Sequence, residues 1–491
     1  MRGNSSDMKG KLPHIACLVS DGFAARLLLK SGVARESIAR GASVTVIAPN
    51  AAEPYFLREC AEHGVALLQA PQTNTRTAQR FRRYRPYFLN DIMGNTALKI
   101  GHFRKSQDRP VIGSLLAAMN RIFKGNSLIG RIYRLIELGT NRSQLVKQFL
   151  NELNADLLVI ANPFGAEEVI YLLHAKELGI PVVCELLSWD NVTAKGTPLM
   201  MPDYFISWGP IMTEEIVEYY GFPRERIVEC GAPHFDVYRQ KDKLASPEVV
   251  LDELGLQSGD PYLVFGMVTP YVCQNELDLL MWLAHKVNNN QFAKACSLVI
   301  RPHPHTISGY YARTSQEIER LKCLTGPRVA LHVPEVLSEQ LANDMPGIEM
   351  QRLASLLAGC AVCINAGSTL CLDACLVDRP AITIAFDGWE RLSYMKSASC
   401  GPDYIHMRKL LSYGGVRIAR CFDELEHHIN TYLMNQGLDQ EGRALSVSQE
   451  CGVQDGRATE RVAATLVKLS QGKSQSPHSY AESHVASHRS R

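Results

Sequence analysis

Short apolar runs alternate with helix-like periodic segments along most of the chain. In the first part, His14 to Ser20, Ser43 to Ala48 and Val65 to Gln69 have the length and composition of strands. The intervening segments, Gly22 to Arg40 and Pro54 to His63, have helical spacing. Strands that alternate with helices indicate a parallel sheet, so the chain is expected to open with an α/β domain.

The same rhythm returns after residue 154 and runs to residue 386. The predicted strands are Ala155 to Ala161, Ile180 to Leu187, Tyr204 to Ser207, Arg226 to Cys230, Tyr262 to Met267, Leu298 to Ile300, Val329 to His332, Ala361 to Ile364 and Ala381 to Phe386. At 491 residues the chain is too long for one core. We predict an α/β fold with two domains, 12–236 and 246–470, followed by a disordered tail, 471–491, which is rich in Ser and His.

Residues 72–146 interrupt the alternation with a basic helical insert. Its 14 Lys and Arg side chains face only three acidic ones, a local balance of 14 − 3 = +11 in a chain whose net charge is +2. Apolar residues recur at helical spacing, as in Ile112, Leu115 and Met119. Such an insert suits an anionic membrane surface. The alternative is a helical subdomain that packs on the sheet and keeps a solvated basic rim; nucleic acid is not expected as a partner, because no recognition motif appears.

Composition supports an ordinary globular protein, with 46% hydrophobic and 21% charged residues. No apolar run reaches the roughly 18 residues of a membrane span, and the short apolar run near the N-terminus is predicted to be a strand, not a signal peptide. The 14 cysteines are scattered without a disulfide framework, which predicts a reducing cytoplasm. Cys360, Cys363, Cys371 and Cys375 only faintly resemble metal-site spacing, so no metal site is expected.

The stretch Ala361 to Gly388 predicts one strand, turn, helix, strand unit. Its turn holds Gly367, Ser368 and Thr369 at the start of a helix, where backbone N–H groups and hydroxyls can bind phosphate. Asp373, one turn further on, could reach the hydroxyls of a ribose. The alternative is an ordinary connection with a capped helix.

A second candidate for phosphate contact is Arg301-Pro302-His303-Pro304, directly after a predicted strand. Each proline fixes its local backbone, so the His303 side chain is held in a defined direction. Arg301 and His303 are natural donors to phosphate oxygens. The alternative is that the prolines only end the strand.

Candidate catalytic residues follow predicted strands of the first domain. Ser188-Trp189-Asp190-Asn191 places a Trp, which could stack on a sugar ring, beside a carboxylate that could act as general base. Asp21 follows the first strand, and His234 lies where the chain crosses to the second domain. Asp190 could instead make only an Asx turn. No G-x-G-x-x-G motif appears, so no dinucleotide cofactor is expected.

Taken in order, SWDN (188–191), Trp208-Gly209, GAPHFDVY (231–238), RPHP (301–304) and NAGSTLCLDA with RPAI (365–382) resemble bacterial surface-carbohydrate biosynthesis proteins. These are GT-B-type glycosyltransferases related to the CDP-glycerol glycerophosphotransferases and the UDP-N-acetylglucosamine 2-epimerases. The resemblance covers about residues 155–390 and leaves out the insert and the tail. It implies two facing Rossmann-like domains, with the acceptor on the first and a nucleotide-activated donor on the second.

Carried over, the resemblance implies that Arg301 and His303 contact donor phosphate, that Ser368 and Thr369 hold the diphosphate, and that Asp373 takes the ribose. Relatives often have Glu-Ala where this chain has Asp373-Ala374, a shorter carboxylate. Asp190 is the first choice for the base, followed by Asp21 and His234.

These expectations describe a cytoplasmic enzyme, peripheral at the inner membrane, that transfers a sugar to a surface glycan such as capsule or lipopolysaccharide, or to a lipid-linked precursor. No cofactor is expected, because a helix dipole and basic side chains can stabilise a departing nucleotide. Three alternatives stay open: a glycerophosphotransferase, a nucleotide-sugar 2-epimerase, and a catalytically silent nucleotide-binding partner.

Overall fold

Two parallel β-sheets form the framework of the protein. The computed structural model describes residues 12–472 except 74, 108, 258, 308–314 and 339, so most of the tail expected to be disordered lies outside the described residues. The first sheet, in the order β3-β2-β1-β4-β5-β6-β7, contains β1 (His14–Leu18), β2 (Ser43–Ala48), β3 (Ala66–Gln69), β4 (Leu157–Ile160), β5 (Val182–Glu185), β6 (Tyr204–Ser207) and β7 (Ile227–Glu229). The second, in the order β10-β9-β8-β11-β12-β13, contains β8 (Tyr262–Gly266), β9 (Ser297–Arg301), β10 (Val329–Leu331), β11 (Val362–Asn365), β12 (Ala381–Ile384) and β13 (Val416–Ala419).

The helices connect these strands and cover both sheets. Those up to β7 are α1 (Gly22–Ala25), α2 (Val33–Ala39), α3 (Pro54–Glu62), α4 (Arg76–Leu89), α5 (Thr96–Ser106), α6 (Pro110–Phe123), α7 (Ser127–Gly139), α8 (Gln144–Leu153), α9 (Ala166–Glu177), α10 (Asn191–Ala194) and α11 (Pro210–Tyr220). Those that follow are α12 (Pro247–Glu253), α13 (Glu276–Asn288), α14 (Pro304–Ile307), α15 (Ser315–Cys323), α16 (Ile348–Gly359), α17 (Leu370–Leu376), α18 (Ile405–Ser412), α19 (Phe422–Met434), α20 (Gln440–Glu450) and α21 (Ala458–Gln471). A π-helical turn spans Arg26–Lys30, and a 3₁₀ turn spans Pro233–Arg239.

The predicted α/β fold with two parallel sheets is confirmed. Each sheet has a point where the strand order reverses, between β1 and β4 in the first and between β8 and β11 in the second. Loops at the carboxyl ends of such neighbouring strands diverge and leave a crevice, which is where open α/β sheets bind ligands. The topology therefore places a ligand crevice beside the loops after β1, β4, β8 and β11.

The helix expected over Gly22 to Arg40 is divided in the structure. After α1 the chain makes the π-helical turn, and Gly32 then adopts a φ of 93° before α2 begins. Glycine adopts this left-handed conformation without the steric cost that a Cβ brings, so the break falls at Gly32. The division matters for the site, because Arg26 lies in the π-helical turn.

Helix α21 packs on the first sheet, although its sequence lies at the end of the segment assigned to the second domain. Val462, Leu466 and Val467 share a core with Ile15 and Val46. The periodic apolar residues of α21 predict a buried face, but periodicity does not say which sheet covers that face. The chain thus returns to its first sheet after completing the second.

Residues 72–146 contain four helices, α4 to α7, and lead into α8. The insert is held from inside by a buried ion pair, in which Nη2 of Arg85 lies 2.6 Å from Oε1 of Glu137. It also contacts the second domain, because Nε of Arg104 donates to the Met395 carbonyl over 3.2 Å. In the described part of the chain, no helix is both long enough and apolar enough to cross a bilayer.

The 14 cysteines all lie within the described residues and form no disulfide. Cys360, Cys363, Cys371 and Cys375 are buried. Burial raises the pKa of each of these thiols, which disfavours the thiolate that a metal ligand requires. Across the residues that the structure describes, no group of His, Cys, Asp and Glu side chains is arranged to hold a metal ion.

Candidate active site

A cavity of about 630 Å³ lies between the carboxyl edges of the two sheets. Its volume is within the range of roughly 300–1,000 Å³ that is usual for small-molecule sites. All nine candidate residues line it: Asp21, Asp190 and His234 from the first domain, and Arg301, His303, Gly367, Ser368, Thr369 and Asp373 from the second. The fold brings them together because each residue lies at or shortly after the carboxyl end of a strand, and these strand ends meet at the cavity.

Arg301 lies at the end of β9 and is buried. Its Nη2 donates to Oε2 of Glu349 over 3.0 Å, and its Nη1 contacts Nδ1 of His332. Although burial raises the pKa of Glu349, hydrogen bonding by Arg352 and the charge of Arg301 hold that pKa below its usual range. Both terminal nitrogens of the guanidinium therefore have protein partners. Arg301 contributes positive charge to the cavity, and few of its N–H groups are left to donate to a ligand.

His303 is held by a hydrogen bond that fixes its tautomer. Its Nδ1 accepts the backbone N–H of His305 over 3.1 Å, so in the neutral ring the proton lies on Nε2. Burial, together with His305 and Arg301, lowers the pKa of His303 to about 4. At neutral pH the ring is an uncharged N–H donor at the cavity wall.

The turn between β11 and α17 is built around Gly367, whose φ is 75°. Oδ1 of Asn365 accepts the backbone N–H of Ser368 over 2.9 Å, and the Ser368 hydroxyl oxygen accepts the N–H of Leu370 over 3.3 Å. Ser368 thus closes the start of the helix, while Thr369 occupies the N-cap position without a side-chain cap. Both partly buried hydroxyl side chains line the cavity.

Asp373 already has a protein partner. The Tyr238 hydroxyl, in the 3₁₀ turn that leads out of the first domain, donates to its Oδ1 over 2.6 Å. Burial raises the pKa of Asp373 to about 6, against the opposing effects of Tyr238, Arg26 and Arg301. A ribose hydroxyl that reaches Asp373 would share this carboxylate with Tyr238.

Arg26 is a cavity residue that the sequence analysis missed. It is electrostatically coupled to Asp373, Tyr238 and Asp21. Its Nε–H is buried and has no hydrogen-bond partner among the described residues. A cationic side chain that lines a cavity and has a donor without an acceptor can bind an anion.

Asp21 caps the first helix, because its Oδ1 accepts the N–H of Ala24 over 2.8 Å. Burial raises its pKa, while Lys195, another missed cavity residue, opposes the rise. Behind it, buried Glu168 accepts a hydrogen bond from the Ser20 hydroxyl, and burial raises the pKa of Glu168 to about 7. Burial therefore favours the protonated form of both carboxyl groups relative to a carboxyl in water, and it does so most strongly for Glu168.

Asp190 lies opposite a residue of the second domain, His406, which also lines the cavity. Burial lowers the pKa of His406, and the charge of Asp190 opposes that shift. Trp189 is only 3% exposed and packs edge-on against His406, with ring centroids 5.0 Å apart. Trp189 nevertheless lines the cavity, so its stacking on a sugar ring stays a prediction.

His234 is buried between aromatic rings, 5.1 Å from Trp208 and 4.3 Å from Phe235. Its Nδ1 has no hydrogen-bond partner among the described residues. Burial and the charge of Arg26 lower its pKa well below the usual value, so the ring is neutral. A neutral His with an unpaired nitrogen can still exchange a proton with a ligand in the cavity.

The two domains are joined at the cavity mouth by a loop of the second domain. Nζ of Lys30 lies 2.6 Å from Oδ1 of Asp344 and donates to the Met345 carbonyl over 2.6 Å. The backbone N–H of Gly22 donates to the Ala342 carbonyl over 2.8 Å, and a Cβ at Gly22 would lie 2.3 Å from backbone atoms of Asn343 and Asp344. Gly22 is thus required for this close approach.

Several solved structures are similar to this protein over nearly its whole length. The chain is similar to a putative UDP-N-acetylglucosamine 2-epimerase from Listeria monocytogenes (TM-score 0.55, 11% identity, 95% of this chain and 98% of that one). It is similar to a UDP-GlcNAc 2-epimerase from Neisseria meningitidis bound to UDP-GlcNAc (TM-score 0.53, 9% identity, 93% and 100%) and to a glycosyltransferase from Rickettsia africae ESF-5 (TM-score 0.51, 11% identity, 94% and 100%). No protein-family model and no curated protein sequence matches the chain.

At these identities the similarity establishes the fold. The protein has the GT-B architecture of glycosyltransferases and UDP-GlcNAc 2-epimerases, in which two Rossmann-like domains face each other across a cleft. The predicted fold class is therefore confirmed.

Proposed function

We propose that the protein is a glycosyltransferase that moves a sugar from a nucleotide-activated donor to a hydroxyl of a surface glycan or lipid-linked acceptor. The observation that carries the proposal is the cavity between the two sheet edges, which is lined both by cationic and N–H donors, such as Arg26, Arg301 and His303, and by carboxylates, such as Asp21 and Asp190. A nucleoside diphosphate leaving group needs the first, and an attacking hydroxyl needs the second.

In this proposal the donor lies against the second domain, and its phosphates also reach Arg26 of the first domain. Arg26 and the N–H of His303 contact the phosphates, Ser368 and Thr369 bind the diphosphate at the turn after β11, and Asp373 accepts a ribose hydroxyl. Arg301 adds positive charge to this part of the cavity while it stays paired with Glu349. These side chains would stabilise the negative charge that develops on the departing nucleotide, so the proposal includes no cofactor.

The base belongs to the first domain. Asp190 and Asp21 are the proposed carboxylates, and both line the cavity. His234 is the third candidate. A carboxylate accepts the proton of the acceptor hydroxyl as the hydroxyl oxygen attacks the anomeric carbon and the nucleotide departs.

The proposed acceptor also bears on the location of the protein in the cell. A lipid-linked acceptor would be presented at the inner membrane, and the basic insert at 72–146 is the proposed contact with an anionic membrane surface. The protein is accordingly proposed to act in the cytoplasm as a peripheral membrane enzyme.

The direct test is a turnover assay with UDP-, GDP-, CMP- and dTDP-sugars and with CDP-glycerol, each with and without a cell-envelope extract as acceptor source. Transfer predicts nucleotide release that requires both a sugar donor and the extract. Release from CDP-glycerol alone among the donors would instead indicate a glycerophosphotransferase.

Two further outcomes would replace the proposal. Conversion of a nucleotide sugar to its epimer without any extract would identify a 2-epimerase, the activity named for the Neisseria and Listeria structures with this fold. A nucleotide sugar that binds and is never consumed would indicate a catalytically silent partner.

A further inference from the structure

Helices α6 and α7 of the insert turn large apolar side chains toward solvent. On α6, Val111, Leu115 and Ile122 are 81%, 61% and 73% exposed. On α7, the same holds for Leu128, Ile132 and Leu135. The spacings i, i+4, i+11 and i, i+4, i+7 place each set along one side of its helix. We call these six residues the apolar stripe.

Polar anchors on the opposite side fix this orientation. Asn120 of α6 is buried, accepts the N–H of Ile92 over 3.2 Å, and donates to the carbonyls of Tyr87 over 2.9 Å and Asn90 over 2.7 Å. On α7, buried Glu137 pairs with Arg85. Rotating either helix to bury the stripe would leave these polar groups without partners, and the cost of that opposes the rotation.

The charges around the stripe select its partner. Arg121 and Arg131 are exposed beside it, one on each helix. Of the acidic residues described in the insert, Glu137 is buried and Asp91 pairs with Lys124 at 2.7 Å. A second copy docked on the same stripe would bring like charges together, whereas an anionic bilayer offers both an apolar interior and phosphates.

We infer that the apolar stripe docks on an anionic lipid bilayer. Its Val, Leu and Ile side chains enter the boundary between headgroups and acyl chains, and Arg121 and Arg131 bind lipid phosphates. The docked face is tied to the cavity, because α6 packs on α5 and Nδ2 of Asn95 donates from the start of α5 to the Thr193 carbonyl over 2.8 Å. Thr193 lies in α10, the short helix that begins directly after Asp190. The docking face does not depend on which reaction the cavity performs.

The test is sedimentation of the full chain with vesicles, without donor or acceptor. The vesicles are either pure phosphatidylcholine or equal parts of phosphatidylcholine and phosphatidylglycerol. We expect binding to the anionic vesicles that weakens with added salt. Combined Val111→Ser, Leu115→Ser, Leu128→Ser and Leu135→Ser changes should lower the binding by about tenfold or more.

Two further variants make the result interpretable. Arg121→Gln with Arg131→Gln, both at exposed positions, should lower binding to anionic vesicles by about tenfold or more, since each cation near such a surface adds to the affinity. Met434→Ser with Val453→Ser, which remove exposed apolar side chains far along the chain, should bind as the wild type does. Thermal melting checks that each variant is folded.

Wild-type protein that does not bind anionic vesicles would overturn the inference. So would wild-type binding that both the serine and the glutamine variants retain in full. If the wild type instead sediments as a dimer and the serine changes make it a monomer without any vesicle binding, the stripe is an interface between copies and the bilayer proposal is wrong.

Discussion

The hydroxyl of Tyr238 donates to Oδ1 of Asp373 over 2.6 Å and joins the two halves of the cavity. Tyr238 belongs to the 3₁₀ turn that follows β7, whereas Asp373 lies in α17 of the second domain. The carboxylate expected to take a ribose is thus positioned by a residue of the turn that leads out of the first domain. A ligand that binds Asp373 would therefore also affect the contact between α17 and this 3₁₀ turn.

Tyr238→Phe removes that hydrogen bond and leaves the carboxylate buried. Because the bond opposes the burial that raises the pKa of Asp373 to about 6, its loss raises this pKa further. We expect a loss of about 1–3 kcal/mol in the free energy of unfolding at pH 8, where Asp373 must be charged, and a smaller loss at pH 5, where it is protonated. Urea denaturation at both pH values measures this. An equal loss at the two pH values would contradict the assignment.

Lys30→Met should destabilise the contact between the domains. Asp344 is fully buried, and without Lys30 its remaining side-chain donor among the described residues is the Tyr55 hydroxyl at 2.5 Å. Removing one partner of a buried ion pair costs about 3–5 kcal/mol. Lys322→Met, at an exposed pair with Glu319, should cost less than about 1 kcal/mol. Comparable effects of the two changes in chemical denaturation would show that the Lys30 pair does not hold the domains together.

His303→Ala and Ser368→Ala should each abolish transfer and leave the fold intact. His303 loses its N–H donor, and Ser368 loses the hydroxyl at the turn after β11. Ser448→Ala, at an exposed position outside the cavity, serves as control and should transfer at the wild-type rate. Circular dichroism and turnover are measured on the same preparations. Retained turnover in both cavity variants would remove the donor assignment.

Acid should destabilise the protein partly through His332. Burial and the charge of Arg301 lower the pKa of His332 from 6.5 to about 4. A depressed His pKa means that the unfolded chain binds the proton more readily, so the stability is present above pH 6.5 and is lost as the pH falls toward 4. In His332→Gln the amide oxygen can still accept from Arg301, and the drop in Tm between pH 7 and pH 5 should be smaller. Exposed His285→Gln should keep the wild-type drop.

Much of the fold could be predicted because the strands are buried, short and bounded by turn residues. Ser43 to Ala48 and Tyr204 to Ser207 match β2 and β6 at both ends. Strand β13 was missed, since its four residues, Val-Arg-Ile-Ala, lie at the sheet edge, are half-buried in the middle and carry a charge. Such a segment lacks both an apolar run and a clear alternation.

The candidate site was predictable where its residues follow strands in recognisable motifs, as His303 and Ser368 do. Arg26, Lys195 and His406 carry no such motif, because each comes from a helix or a loop whose position depends on tertiary packing. The sequence did contain one feature that could have identified Arg26: it is an Arg about one turn into the helix predicted after the first strand. The pairing of Arg301 with Glu349 could not be read from the sequence, since 48 residues separate them.

The central claim is that the cavity binds a nucleotide-activated donor through its cationic side chains, and ligand-induced stabilisation tests it most directly. Wild-type protein and Arg26→Met are melted with UDP, GDP, CMP, CDP and dTDP, each free and as a sugar conjugate. At least one nucleotide should raise the Tm of the wild type in a concentration-dependent way and raise that of Arg26→Met much less. If none of them raises the wild-type Tm, or if the variant responds as the wild type does, the account of this cavity is wrong.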